Sequence, residues 1–186
     1  MTKKNPKVSL NKDSISIISA GKLGSSLAIA LKTSKYPLIS VHARSLEQRK
    51  WLSEILGPKI FITEDPNKAA ENARYIFITG TDSIVEGISQ SIKWAKGQVA
   101  LHCSGALPLS ILNSAKKSGA ETGAIHPFQT FPSKTSSSKA FDNVSLYSLF
   151  EVDPLFFPKL LFFGCKLSFL TSLNLFVALS SAIFLI

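Results

Sequence analysis

Residues 15–31 read ISIISAGKLGSSLAIAL, an apolar run that passes through two glycines into a helical pattern. The β-branched segment 14–19 predicts a buried strand, and the segment 23–32 that follows predicts a helix. The helix would carry one apolar stripe, formed by Leu23, Leu27, Ala30 and Leu31. Because a strand followed directly by an amphipathic helix is typical of a parallel sheet with crossover helices, this stretch predicts an α/β fold.

The alternation of strand and helix continues to residue 126. Further strands are predicted at 38–41, 59–62, 75–79, 99–102 and 121–126, and further helices at 46–56, 66–72, 82–95 and 108–118. Asp65 is the predicted N-cap of the third helix, and Pro108 a predicted first helical residue. Six strands in this rhythm predict a doubly wound, mostly parallel sheet in the order 3-2-1-4-5-6.

The predicted α/β domain covers residues 13–132, and three segments of different composition flank it. Residues 1–12 are predicted to be a flexible basic arm and residues 133–145 a Ser-rich loop or linker. Residues 146–186 contain only four charged side chains and eight of the 13 Phe, so the net charge of +9 lies wholly before them. We predict that they are an apolar, helical remnant of a second domain that is truncated or altered.

Residues 167–186 contain no charged side chain and are long enough to span a membrane as a helix. A membrane anchor and a native short helical extension therefore remain alternatives to the remnant. The polar side chains within this segment and its abrupt end disfavour the anchor.

Composition excludes several other classes of protein. A hydrophobic fraction of 45% with only 18% charged residues excludes a disordered chain. The two cysteines form neither a disulfide framework nor a metal-ligand spacing, which predicts a reduced, cytoplasmic protein without a metal site. The sequence pI is about 9.6, but the lysines are scattered and no nucleic-acid-binding motif is present, so we expect no nucleic-acid partner.

The turn between the first strand and the first helix, SAGKLG at residues 19–24, differs from GxGxxG at Ser19. Gly21 would let a pyrophosphate approach the backbone, and Gly24 would let the helix pack on the strand. The first amides of the helix would then bind the anion. The alternative is that both glycines only form a tight turn.

The end of the second strand favours NADP over NAD. An enzyme that prefers NAD usually places Asp or Glu here to bind the ribose 2′-hydroxyl, but residues 41–45 read VHARS. Arg44 can pair with a 2′-phosphate and Ser45 can donate a hydrogen bond to it. Alternatively, Arg44 is simply solvated.

Four segments together resemble a known family: ISIISAGKLGSSLAIAL at 15–31, VHARSL at 41–46, HCSGALP at 102–108 and HPFQTF at 126–131. They are similar to Rossmann-like proteins with a DUF2520 C-terminal domain, which resemble pyrroline-5-carboxylate reductase and the F420-dependent NADP reductases in fold. The resemblance covers residues 13–145. It implies an NADP-dependent oxidoreductase with a mostly helical second domain that forms a homodimer. This sequence departs from the family at Ser19, at Gly80-Thr81-Asp82 and in its short C-terminal part.

Polar side chains follow four of the predicted strands, where a doubly wound sheet binds its ligands. Thr79, Thr81 and Asp82 would line the nicotinamide-ribose side, although Asp82 is equally suited to be a helix N-cap. His126 is the predicted proton donor, with Ser104 and Gln129 orienting the substrate, and its alternative is a structural contact. We interpret Cys103, His42 and His102 as structural residues.

These patterns predict hydride transfer between NADPH and a small carbonyl or imine substrate. The predicted catalytic residues are Ser104, His126 and Gln129, and the predicted cofactor-binding residues are Ser19, Gly21, Lys22, Leu23, Gly24, Arg44, Ser45, Thr79 and Asp82. Two other functions remain open. One is a nucleotide-binding regulatory module without turnover, and the other is a membrane-tethered form of the protein.

Overall fold

The computed structural model describes residues 13–127 and the strand backbones at 146–150 and 167–168. Its strands are β1 (Ile15–Ile18), β2 (Leu38–His42), β3 (Phe61–Thr63), β4 (Tyr75–Ile78), β5 (Val99–His102), β6 (Glu121–Pro127), β7 (Leu146–Phe150) and β8 (Leu167–Ser168). Its helices are α1 (Lys22–Thr33), α2 (Leu46–Leu56), α3 (Pro66–Ala70), α4 (Asp82–Ser91) and α5 (Asn113–Lys117), with a 3-10 helix at Leu109–Leu112.

The sheet confirms the predicted strand order. Its strands lie in the order β3-β2-β1-β4-β5-β6-β7-β8, and the first six run parallel. In the centre, Ile17 of β1 pairs with Val41 of β2 on one side and with Phe77 of β4 on the other. The order reverses between β1 and β4, which creates a crevice at the carboxyl ends of these strands.

The period of two along each strand divides the core between the two faces of the sheet. Ile15 and Ile17 pack with the residues of α1 and α2 on one face, whereas Ile18 packs with the α3, α4 and α5 face. Leu52 on the first face and Val85 on the second are completely buried. This double burial fixes the positions of the strand ends.

Several elements differ from their predicted bounds, whereas one predicted helix cap is confirmed. Helix α4 ends at Ser91, because Ile92 adopts an extended backbone and is buried in the core. Pro108 precedes the 3-10 helix instead of opening an α-helix. Asp65 is confirmed as the N-cap of α3, where its carboxylate accepts a hydrogen bond of 2.9 Å from the Asn67 amide.

The segment 146–186 is predicted to be helical, but its described residues are strands. Strand β7 pairs antiparallel with β6, from Leu146 opposite Pro127 to Phe150 opposite Gly123. The apolar and aromatic sequence LYSLF suits a strand that extends the sheet. The basic arm, the Ser-rich loop and all but the first two residues of the membrane-length segment lie outside the described residues. None of the helices among the described residues has the length and apolar character to cross a membrane.

Candidate functional site

A cleft of about 1030 Å³ opens at the carboxyl ends of β1, β2, β4, β5 and β6. It brings together ten of the twelve predicted site residues: Ser19, Gly21, Lys22, Leu23, Arg44, Ser45, Thr79, Asp82, Ser104 and His126. Gly24 lies behind the cleft wall, and Gln129 lies outside the described residues. The cleft is therefore bordered by both the proposed phosphate turn and the proposed substrate residues.

The N-terminus of α1 faces this cleft without a side-chain cap. Gly21 is the N-cap residue, and the first turn of α1 contains no acidic side chain. A Cβ added at Gly21 would have no neighbour closer than the Ser19 carbonyl oxygen at 4.0 Å, so the approach to the backbone is open. The positive end of the helix dipole and the first amides of α1 are thus directed into the cleft, which is the arrangement that anion binding requires.

Gly24 has the packing role that its position predicts. A Cβ there would lie 2.2 Å from Oγ1 of Thr79, closer than atoms can approach, so only glycine lets α1 pack this closely on the sheet. The Thr79 hydroxyl is itself shared between the carbonyl oxygens of Ile18 and Ser19, each at 3.1 Å. Thr79 therefore fixes the end of β1 from the wall of the cleft, and its hydroxyl proton is directed at the backbone.

The loop between β2 and α2 carries the predicted 2′-phosphate residues. Arg44 is exposed at the cleft, and the Ser45 hydroxyl caps α2 by accepting a hydrogen bond of 3.2 Å from the Gln48 amide. The guanidinium of Arg49 donates to the carbonyl oxygens of Ala43 and Arg44. The main chain of this loop is therefore bound by Arg49, a residue that no functional motif in the sequence marks.

Gln48, for which the sequence pattern predicts no role, joins the first turns of α1 and α2. Its Nε2 donates to the Ser25 hydroxyl at 2.9 Å, and that hydroxyl lies 3.4 Å from the Ala20 carbonyl oxygen, which accepts from it. Oε1 of Gln48 is buried without a hydrogen-bond partner among the described residues. The α1 turn and the α2 turn are therefore connected through a buried side chain, which an exposed-helix pattern such as LEQRK does not reveal.

The opposite end of the cleft contains the predicted substrate residues. The Ser104 hydroxyl oxygen accepts hydrogen bonds from the amides of Ala106 and Leu107, at 3.1 and 3.2 Å, and so shapes its own loop. Nδ1 of half-buried His126 lies 3.1 Å from the Cys103 carbonyl oxygen. Since a carbonyl only accepts, Nδ1 carries the hydrogen, which fixes the orientation of the imidazole.

Asp82 is the first residue of α4 and lines the cleft, and the N-cap of α4 is Thr81. The interpretation of Asp82 as an N-cap is therefore wrong, because the chain turns into the helix one residue earlier. A carboxylate in the first turn still stabilises the helix through the dipole. Thr81 also lines the cleft, and its hydroxyl lies 3.3 Å from that of Ser83.

Burial shifts the pKa values of two residues beside the cleft, Cys103 and His102. Burial raises the pKa of the Cys103 thiol to about 12, so it stays protonated at neutral pH and cannot act as a thiolate. His102 is completely buried, and burial lowers the pKa of its imidazole. Within residues 13–127 no group of three His, Cys, Asp or Glu side chains is placed to hold a metal ion.

The site residues fit a phosphorylated dinucleotide. The cleft combines an uncapped helix N-terminus, an exposed guanidinium and a glycine turn that admits close approach. Strand order and site together define a doubly wound α/β domain of the dinucleotide-binding type. The chain belongs to the Rossmann-like domain family, whose model matches residues 1–127.

Solved structures agree with this assignment of the fold. A Bacteroides fragilis protein named as an NADP oxidoreductase superposes with a TM-score of 0.67 at 21% identity, covering 93% of this chain and 66% of its own. A reductive aminase from Aspergillus terreus in complex with NADPH and ethyl-5-oxohexanoate superposes with a TM-score of 0.69 at 13% identity. The match covers 93% of this chain and 62% of the aminase. A pyrroline-5-carboxylate reductase from Coxiella burnetii superposes with a TM-score of 0.69 at 13% identity, and the match covers 93% of this chain and 69% of the reductase.

The chain spans about two thirds or less of the length of the first solved structures that it matches. A search of curated protein sequences finds no significant match. The resemblance to proteins with a DUF2520 domain stays a prediction, because the likeness to these solved structures shows the fold alone.

Proposed function

We propose that this chain is the NADP(H)-binding part of an oxidoreductase that transfers hydride between NADPH and a small carbonyl or imine substrate. The observation that carries the proposal is the single cleft shared by the open N-terminus of α1, Arg44 after β2 and His126 on β6. The solved neighbours include enzymes with NADPH and with ketone or imine compounds, which supports the same reaction class. A cytoplasmic location and a homodimer are parts of the proposal that still rest on the sequence.

Binding of the cofactor would use the first turn of α1 and the loop that precedes α2. Amides of Lys22, Leu23 and Gly24 would bind the pyrophosphate, and the Lys22 ammonium adds positive charge at the same edge. Arg44 and the Ser45 hydroxyl would bind the 2′-phosphate. When bound, NADPH supplies the hydride, and Thr79 and Asp82 would border its ribose side.

His126 would supply the proton that a reduced oxygen or nitrogen needs. Its Nδ1–H is held by the Cys103 carbonyl, so in the imidazolium form Nε2 carries the proton that would pass to the substrate, and the ring would return to its neutral Nδ1–H form. The Ser104 hydroxyl would donate its hydrogen to a substrate acceptor, because both of its hydrogen bonds within residues 13–127 use its oxygen as the acceptor. These two side chains would bind and orient the small substrate.

The decisive experiment is a titration of the protein with NADPH and with NADH, followed by calorimetry or nucleotide fluorescence. Arg44→Ala would remove the charge-assisted contact with the 2′-phosphate, which NADH lacks. We therefore expect it to weaken NADPH binding at least about tenfold and to change NADH binding less than about twofold. Lys50→Ala is the matched control, because Lys50 is an exposed cation of α2 that does not line the cleft. Equal affinity for both nucleotides, or equal effects of both variants, contradicts the NADP assignment.

Turnover is tested separately with NADPH and a panel of small ketones, aldehydes and cyclic imines. We expect oxidation of NADPH with at least one imine or carbonyl, and a loss of about a hundredfold in His126→Ala at unchanged NADPH affinity. Binding of NADPH with no turnover on any substrate would favour the nucleotide-binding regulatory module.

A further inference from the structure

Ser19 adopts a backbone conformation that its residue type disfavours. Its φ is +64°, in the left-handed region, at the position where the dinucleotide turn normally has its first glycine. A side chain in this region costs about 1 kcal/mol relative to glycine. Ser19 also has a buried hydroxyl oxygen without a hydrogen-bond partner among the described residues, so its side chain does not repay that cost.

The backbone of Ser19 is held from both neighbouring strands. Its N–H donates to Nδ1 of His42 at 3.0 Å, and its carbonyl oxygen accepts from the Thr79 hydroxyl at 3.1 Å. The next amide, that of Ala20, donates to the His42 carbonyl oxygen at 2.9 Å. His42 therefore contacts the turn through both its side chain and its main chain.

The imidazole of His42 is set up to accept this hydrogen bond. Because Nδ1 is the acceptor, the ring hydrogen is on Nε2, which faces the Glu64 backbone. Burial lowers the pKa of His42 first, and the cations Arg44 and Arg49 lower it further, against the opposing effects of the Glu64 backbone and Asp65. The ring is thus neutral at neutral pH and keeps its Nδ1 lone pair for Ser19.

We propose that His42 is a positioning residue for the dinucleotide: its Nδ1 holds Ser19 in the left-handed conformation of the phosphate turn. His42 therefore replaces the conformational freedom of the missing first glycine. Ordinary core packing by His42 would be insensitive to the residue at position 19, whereas this role depends on it. The inference rests on the proposed function only in assigning the turn to a pyrophosphate.

The test is a double-mutant cycle between His42→Leu and Ser19→Gly, read by NADPH affinity. Glycine reaches the left-handed region without strain, so the Ser19→Gly background should not need the His42 bond. We expect His42→Leu to weaken NADPH binding about tenfold in the native background and less than about twofold in the Ser19→Gly background. Equal losses in both backgrounds overturn the proposal.

Two conservative variants distinguish the two ring nitrogens. Asparagine can place an acceptor near the position of Nδ1, whereas glutamine places its amide near Nε2. We expect His42→Asn to retain most of the native affinity and His42→Gln to resemble His42→Leu. The reverse order would show that the contact with the Glu64 backbone matters and would overturn the assignment to Nδ1.

The same cycle is measured on the protein without nucleotide by urea unfolding. Here we expect the shift in the unfolding midpoint caused by His42→Leu to shrink by at least about half in the Ser19→Gly background. This readout does not depend on NADPH. If the native protein binds no NADPH, the proposed function fails, while the unfolding cycle still decides whether His42 and Ser19 are coupled; additive shifts overturn that coupling.

Discussion

The imidazole of His126 packs directly against the backbone of Gly105, so closely that a Cβ at Gly105 would lie 2.7 Å from Cδ2 and 2.9 Å from Nε2. Gly105 belongs to the loop after β5, and the same loop carries Ser104 and the carbonyl that holds Nδ1. The position of the proposed proton donor is therefore set by a residue without a side chain. The motif HCSGALP alone does not predict that Gly105 must lack a side chain to make room for His126.

Gly105→Ala is expected to displace the His126 ring, because the added methyl group and the imidazole cannot occupy the same space. The nuclear magnetic resonance signals of the His126 ring should shift, and NADPH-dependent turnover should fall about tenfold while NADPH affinity stays within about twofold. The control is Gly87→Ala in α4, where a Cβ meets no atom within 4 Å. That variant should raise the free energy of unfolding by about 0.5–1 kcal/mol. Unchanged His126 signals in Gly105→Ala would contradict the geometry.

Alanine at the two glycines of the α1 turn should affect different properties: protein stability at Gly24 and NADPH affinity at Gly21. Gly24→Ala brings a Cβ within 2.2 Å of the Thr79 hydroxyl and should lower the free energy of unfolding by about 1–3 kcal/mol. Gly21→Ala places its Cβ in the open cleft, so NADPH affinity should fall about tenfold with little change in stability. Urea unfolding and nucleotide titration of both variants separate the two effects. A stability loss as large in Gly21→Ala as in Gly24→Ala would remove the distinction.

The fold was predictable because its signals are local and repeated. Alternating β-branched runs and apolar helix stripes determine which face of each strand is buried, and the crossover rule then determines the strand order. The bounds of α2 and β5 agree with the prediction at both ends, since Ser45 and Gly57 mark the start and end of α2. Helix α4 is shorter than its pattern because burial of Ile92 overrides the helical period.

The site was only partly predictable, because several of its contacts join residues far apart in the chain. Ser19 and Arg44 were visible as a turn and a strand end, but their supports were not. His42 reaches Ser19 across 23 residues, and Gln48 reaches Ser25 across the same separation. Such pairs depend on strand register and helix packing, which one sequence does not display.

Arg49→Lys should weaken the preference for NADPH over NADH. The planar guanidinium contacts the carbonyl oxygens of Ala43 and Arg44 and also pairs with Glu64 at 2.7 Å, whereas an ammonium cannot keep this geometry. We expect the affinity ratio of the two nucleotides to fall about threefold to tenfold.

Glu64→Gln is the companion variant for this test. Its carboxylate is largely exposed, so the ion pair itself should contribute at most about 1 kcal/mol, and the nucleotide preference should change little. If Glu64→Gln reduces the preference as strongly as Arg49→Lys, the ion pair and not the carbonyl contacts orients the Arg44 loop.

Stability should decline as the pH falls below about 6.5, the usual pKa of histidine in an unfolded chain. Burial lowers the pKa values of both His42 and His102 in the native state, so the unfolded state takes up protons that the native state does not. The stability from these neutral rings is therefore complete above about pH 6.5 and is lost between that value and their lower native pKa values.

His102→Leu should reduce the slope of the unfolding free energy against pH, because it removes one of the two buried imidazoles. Both ring nitrogens of His102 are buried without a hydrogen-bond partner among the described residues, so an apolar side chain should leave stability at pH 7 equal or about 1 kcal/mol higher. Asp82→Asn gives the opposite control: it removes the carboxylate that favours the imidazolium form of His102, so the loss should extend to lower pH. Urea unfolding between about pH 5 and 8 measures all three proteins, and an unchanged slope in His102→Leu would show that this ring does not contribute to the pH dependence.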